Sequence, residues 1–133
     1  MVEDDPTAME LTSTMLRMAG YDVWQATGLA AADEVLRRRT PALLLLDLRL
    51  GDGNGLDLVP RIRANVALRD LPVLAVSADA MPDDVARARA AGCTDFLSKP
   101  VSARILLARV HKLIEEAPEV VRPVPSPSDR SST

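Results

Sequence analysis

Ala42-Leu43-Leu44-Leu45-Leu46-Asp47-Leu48, followed by Arg49-Leu50-Gly51-Asp52-Gly53-Asn54-Gly55, is the stretch on which the reading of the chain turns. An unbroken apolar run between Pro41 and a glycine-rich turn predicts a strand covered on both faces, as parallel strands in α/β proteins are. Asp47 then stands at the C-terminal end of that strand, where open α/β sheets gather their chemistry. Taken alone, such an Asp reads first as a residue that starts a turn. The rest of the chain decides between the two.

The flanking segments repeat the alternation. Met1-Val2 reads as the end of a first strand that runs into Glu3-Asp4-Asp5. Pro6 suits the first turn of a helix, with acidic residues favoured just before it by the helix dipole. The helix covers Thr7 to Met18, with Leu11, Met15 or Leu16, and Met18 as its apolar positions, and stops at Gly20. Tyr21 to Ala26 predicts a short strand. Leu29 to Arg39 predicts a helix with Val35-Leu36 inward and Arg37-Arg38-Arg39 at its C-terminal end, a triplet that serves the dipole and solvent. Leu56 to Asn65 reads as a third helix and Val73 to Ser77 as a buried strand ending in a hydroxyl. A helix from Met81-Pro82-Asp83-Asp84 to Ala91 stops at Gly92. Cys93 to Leu97 predicts a fifth strand before Ser98-Lys99-Pro100. Ser102 caps a last helix with Ile105, Leu106, Val110, Leu113 and Ile114 as one stripe.

Strand and helix alternate five times, which calls for a parallel sheet with helices on both faces. Four of the strands end in polar side chains (Glu3-Asp4, Asp47, Ser77 and Lys99), and a parallel sheet brings those ends to one edge. Clustered carboxylates are costly unless a cation sits among them. Glu3, Asp4 and Asp47 offer hard oxygen ligands suited to magnesium, with water and phosphate oxygen completing the shell. Lys99 adds a point charge for a phosphoryl oxygen and Ser77 a hydrogen bond. These are the parts for moving a phosphoryl group onto a carboxylate. A resting ion pair between Lys99 and Asp47 is compatible with that chemistry.

Composition narrows the alternatives. The chain has 133 residues, 47% hydrophobic and 26% charged, which suits one soluble globular domain. A net charge of −3 carries no nucleic-acid footprint. One Cys and one His leave no disulfide, zinc framework or multi-His metal site; both Cys93 and His111 read as structural. No apolar run approaches a membrane span, so the expectation is a cytoplasmic protein. Residues 118–133, rich in Pro and Ser, predict a disordered tail after a domain of residues 1–117.

With these residues in place, the chain resembles the receiver domains of two-component response regulators. The resemblance rests on Val2-Glu3-Asp4-Asp5-Pro6, on Asp47 with Gly55 eight residues on, on Val76-Ser77-Ala78 and on Lys99-Pro100, in that order and spacing. It implies a flavodoxin-like five-stranded parallel sheet in the order 2-1-3-4-5. It also implies a phosphorylation-dependent signalling switch rather than an enzyme, with only slow self-catalysed phosphotransfer and dephosphorylation. Asp47 matches the phosphoacceptor, fed by a histidine kinase or histidine phosphotransfer protein. Asp4 and Glu3 match the acidic pair that holds magnesium, Asp4 directly and Glu3 largely through water, and the backbone carbonyl of Arg49 would be a further ligand. Ser77 and Lys99 match the hydroxyl and the lysine that contact the phosphoryl group. Pro100 matches the proline whose preceding peptide bond is cis, and Phe96 the aromatic that swings inward on activation; simple core packing is the alternative for Phe96. The last two helices and the fifth strand would form the face that meets a downstream protein, in a monomer or a weak phosphorylation-dependent dimer.

Several details depart from the family pattern or tune it. Gly51 stands where the family usually has proline, so a more mobile loop is expected after Asp47. Arg49 and Asp79 occupy the positions that tune phosphoryl lifetime, and are expected to pair across the site mouth. Only Met1 and Val2 precede the acidic pair, so a central strand is truncated. Losing three residues there forfeits ladder hydrogen bonds of about 1 kcal/mol each and burial of about 1.5–3 kcal/mol per side chain. That sum rivals a domain's whole stability of about 5–15 kcal/mol, and the expectation is a natural start upstream of Met1.

Rival functions lack their residues. An aspartyl-phosphate phosphatase needs a second Asp where Arg49 stands. A flavodoxin-like cofactor binder would meet repulsion at Glu3-Asp4-Asp5, and the P-loop motif is absent. A receiver module separated from a hybrid kinase, and an atypical receiver that binds without phosphate, remain as alternatives.

Overall fold

Leu44–Asp47 forms the central strand β1, and its four residues are all buried. Successive side chains point to opposite faces of a strand, so β1 feeds two cores. Leu44 and Leu46 enter one cluster with Ala32, Leu58, Val59 and Ile62. Leu45 enters the other with Leu16, Leu74, Leu106 and Val110. Covering both faces is what an all-apolar strand requires. The structure, a computed structural model, describes residues 1–117. The tail expected to be disordered lies outside the described residues.

Five helices supply the two covering layers: α1 (Pro6–Met18), α2 (Leu29–Arg38), α3 (Leu58–Ala64), α4 (Pro82–Ala91) and α5 (Ala103–Glu116). Helices α1 and α5 cover one face, and α2, α3 and α4 the other. After β1 come a two-residue pair, β2 (Arg49–Leu50) and β3 (Gly53–Asn54), then β4 (Val73–Ser77) and β5 (Asp95–Ser98). β1 pairs in parallel with β4, Asp47 opposite Val76, and β4 with β5, Ser77 opposite Ser98. The antiparallel β2–β3 ribbon was not expected, and a 3-10 turn at Gly55–Asp57 replaces the predicted first turn of α3.

The two predicted N-terminal strands reduce to single bridges. Val2 bridges Ala26 on one side and Leu46 on the other, both parallel. Across the sheet the order is therefore Ala26, Val2, β1, β4, β5, which matches the 2-1-3-4-5 expectation. Tyr21 to Ala26 makes no regular strand, its pairing being the single bridge at Ala26. Met1's amine donates to Trp24 O at 2.8 Å, and Ala26 N to Met1 O at 2.9 Å. On the β1 side Val2 N donates to Leu45 O at 2.8 Å, and Asp47 N to Val2 O at 3.0 Å.

Two helix faces differ from the periodic reading. On α1, Leu11 and Met18 are exposed, and the buried positions are Met9, Ser13 and Leu16. The inward stripe has a serine in its middle, tolerated because Gln25 Nε2 donates to Ser13 Oγ at 2.9 Å. On α5, Leu106, Val110 and Leu113 are buried while Ile105 lies on the exposed side. Val35 and Leu36 on α2 are half-buried, and Ala32 is that helix's buried residue. In the basic triplet, Arg37 and Arg38 pair with Glu34, and Arg39 stacks over Trp24 with its guanidinium carbon 4.8 Å from the ring centre. Cys93 is buried, which pushes its thiol up to about 11, and His111 lies beside Glu115 on the surface. Among the described residues no helix is long and apolar enough to cross a membrane.

Met1 lines an apolar cavity of about 470 Å³ together with Val23, Leu43, Leu45, Val110 and Ile114. An extended segment joined to Met1 would run between the two backbones that Val2 already bridges. Burial also lowers the Met1 amine to about 6 from 8.0. A folded-state pKa below the unfolded one means that the unfolded chain binds more protons between those values, so stability rises with pH from about 6 to about 8. Adding three or four apolar residues before Met1 should raise the urea midpoint and abolish that pH dependence. Equal midpoints for the two chains would contradict the packing described here.

Candidate functional site

Parallel pairing carries the C-terminal ends of the strands to one edge, and the polar side chains collect there. Glu3 and Asp4 follow the Val2 bridge, Asp47 ends β1, Ser77 ends β4 and Lys99 follows β5. Lys99 N–H donates to Ser77 O at 2.9 Å, and the Lys99–Pro100 peptide bond is cis.

The centre of the site is one ammonium between two carboxylates. Lys99 Nζ donates to Asp47 Oδ2 at 3.0 Å and to Glu3 Oε1 at 3.1 Å. Glu3 and Asp47 are buried, whereas the Lys99 side chain is about one-third exposed. Each carboxylate has a second partner. Arg49 N donates to Asp47 Oδ1 at 3.1 Å, and Asp5 N to Glu3 Oε2 at 3.3 Å. Asp4 is exposed beside them, and one oxygen from each of Glu3, Asp4 and Asp47 lies within 4.8 Å of the others.

The protonation pattern follows from crowding. Glu3 is held above the usual carboxylate range, first because burial strips its water and then because Asp47 stands beside it. Burial pushes Asp47 upward too. Hydrogen bonds from Glu3, the Arg49 amide and Lys99 outweigh that push and hold Asp47 low. Lys99 is raised: burial opposes its charge, but the two carboxylates outweigh burial. The two acids therefore titrate as a pair, with Glu3 pushed up and Asp47 held low.

Three carboxylates, two of them buried, face one ammonium and offer hard oxygens. That donor set fits a divalent oxygen-seeking ion such as magnesium. The Gly51 turn passes beside the cluster: an added Cβ there would stand 3.4 Å from Asp4 Oδ2.

The other candidate residues take distinct places. Ser77 is buried, and its Oγ accepts from Asp79 N at 3.1 Å. Arg49 and Asp79 form an exposed ion pair at the mouth, Nε to Oδ2 3.4 Å. Phe96 is half-buried and packs against the core cluster that holds Leu44 and Leu46. The periodicity missed Asp52, which lies in the β2–β3 turn and accepts from the backbone of Leu29 and Ala30. Its partners are more than twenty residues away, so no local pattern marks it; the one hint is that α2 starts after Gly28 with no side-chain cap of its own.

Comparison with known proteins agrees with this geometry. The family model described as the response regulator receiver domain matches residues 1–111. The polar-differentiation response regulator DivK of Brucella ovis is 32% identical over 118 residues, covering 88% of this chain and 95% of that protein. The DNA-binding dual master transcriptional regulator RpaA of Synechocystis is 32% identical over 120 residues, and there the chain spans only 50% of the relative's length. Among solved structures, the receiver domain of a sensor histidine kinase from Pseudomonas aeruginosa superposes with a TM-score of 0.80 at 30% identity, covering 86% of this chain and 94% of that one. That structure holds a magnesium ion in its active-site cleft.

Gly55 gives this site a sharp structural test. A Cβ there would stand 2.5 Å from the backbone oxygen of Asp47 and 3.1 Å from Leu48 Cα. Since backbone must move to admit it, Gly55→Ala should cost about 1–3 kcal/mol of stability in a urea melt and shift the Asp47 amide resonance. An unchanged melt and spectrum would show that the strand end is not packed as described.

Proposed function

The chain belongs to the response regulator receiver family, whose domains are phosphorylation-dependent signalling switches, and from that premise we propose that Asp47 is the residue that accepts the phosphoryl group. The observation that carries this reading is the pairing of a buried, low-pKa carboxylate with one lysine at the end of the central strand. The donor would be a phosphorylated histidine of a kinase or phosphotransfer protein. An Asp47 oxygen attacks phosphorus, the new P–O bond forms as the P–N bond breaks, and the imidazole leaves with a proton from solvent.

Glu3, Asp4, Asp47 and the Arg49 carbonyl would hold magnesium, which supplies neutralisation of the charge on the transferring oxygens. Lys99 is within hydrogen-bond reach of Asp47 and would follow a phosphoryl oxygen after transfer. Ser77 would exchange its bond from the Asp79 amide for one to the phosphoryl group, drawing the β4–α4 loop inward. Phe96, half-buried next to that loop's strand, would repack in response. The face of α4, β5 and α5 would present the change to a downstream protein, with exposed Met81 just before α4 and exposed Ile105 on α5 as apolar contacts. The domain is a regulatory phosphoacceptor; slow self-catalysed transfer and loss, a cytoplasmic setting, a functional unit of residues 1–117, and a monomer or weak phosphorylation-dependent dimer complete the reading.

The Arg49–Asp79 pair would slow the approach of water to the acyl phosphate, since both side chains stand at its mouth. Incubation with magnesium and a small phosphodonor should add one phosphoryl mass to the wild type and none to Asp47→Asn; label on Asp47→Asn would refute the assignment. Arg49→Ala should shorten the phosphoryl lifetime about two- to fivefold, the scale of an exposed ion pair worth up to about 1 kcal/mol. An unchanged lifetime would remove the pair from the mechanism.

A further inference from the structure

The turn that links β2 to β3 is anchored at a point outside the carboxylate cluster. The first N–H groups of a helix have no partner within the helix, and α2 begins after Gly28, which has no side chain to cap them. Asp52 fills that role from a distance in sequence: Leu29 N donates to its Oδ1 at 3.0 Å and Ala30 N to its Oδ2 at 3.3 Å. Both carboxylate oxygens are used. A Cβ on Gly28 would stand 2.7 Å from Asp52 Oδ1, so the carboxylate occupies the space that a side chain at residue 28 would need. The two amides hold Asp52 below the usual carboxylate range.

On its other side the same turn borders the site. Arg49 pairs with Asn54 and Leu50 with Gly53, so the ladder ties the two arms of the ribbon together. Its first residue donates to Asp47 Oδ1, and its turn residue Gly51 faces Asp4 Oδ2. Gly51 places no proline restraint on the backbone there, so the outer end of the ribbon is held by Asp52. We infer that Asp52 is a positioning residue for the cation site: its clamp on the first turn of α2 sets where the Arg49 backbone and the Gly51 turn stand relative to Asp4 and Asp47.

This inference rests on reading Glu3, Asp4 and Asp47 as ligands of a divalent ion. The test is a magnesium titration of the full chain followed by amide NMR, with hydrogen exchange read at Leu29 and Ala30. Asp52→Ala should weaken magnesium affinity about tenfold, the scale seen when a group that orients a metal ligand is removed. Asp52→Asn, which keeps one acceptor oxygen, should recover part of it. Val110→Ala, a destabilising change in the α5 core, should leave the affinity at the wild-type value. Because coupling between sites is reciprocal, magnesium should slow exchange at Leu29 and Ala30 in the wild type and not in Asp52→Ala. An Asp52→Ala affinity within twofold of wild type, or an equal loss in Val110→Ala, would overturn the inference while leaving the cation site intact. A wild type that shows no magnesium saturation would overturn both.

Discussion

One lysine ammonium shared by two buried carboxylates is the contact on which the site depends. Lys99 Nζ reaches Asp47 at 3.0 Å and Glu3 at 3.1 Å, groups that are far apart in sequence. Desolvated carboxylates repel, and breaking such a pair by removing one partner is far more costly than a surface ion pair suggests. Only a parallel sheet delivers the three side chains to one edge without long excursions of the chain. The two cores on either side of β1 exist to keep that sheet in place, and the charge at its edge is what they position.

The scaffold around the site is held by backbone acceptors more than by charge pairs. Arg63 of α3 donates to the carbonyl oxygens of Gly92, Arg69 and Leu71, with distances of 2.6–3.0 Å. It ties the loop before β4 to the turn before β5, the lead-in segments on which the Ser77 and Lys99 positions depend. Gly92 serves that arrangement with φ of 112°, and its missing side chain lets the Arg63 stem approach. The Asp52 clamp does the same for the turn beside Asp4. Both devices use hydrogen bonds between segments that are distant along the chain.

That distinction explains which features the residues reveal by themselves. The buried strand Val73–Ser77 was legible to the residue, because a short apolar run bounded by Pro72 and a hydroxyl has few other uses. The convergence of Glu3, Asp4, Asp47, Ser77 and Lys99 was legible because parallel topology alone implies it. The inward face of α1 was not, since Ser13 interrupts the apolar stripe and is satisfied by Gln25 from another segment. Ile105 was misplaced for the converse reason: an apolar residue at near-helical spacing stands one position outside the buried Leu106–Val110–Leu113 row. Tyr21 to Ala26 has strand composition but pairs only through the single bridge at Ala26. Asp52 reaches Leu29 and Ala30, and Arg63 reaches Gly92, across more than twenty residues, beyond any local periodicity.

The most direct measurement is a crystal structure of the full chain grown with magnesium and beryllium fluoride, a stand-in for the phosphoryl group. The account predicts beryllium bonded to an Asp47 oxygen, magnesium on Asp4 and Asp47, and Lys99 Nζ shifted from Glu3 onto a fluoride. Beryllium on another side chain, or Lys99 still bridging Glu3 and Asp47 with the ion bound elsewhere, would contradict it.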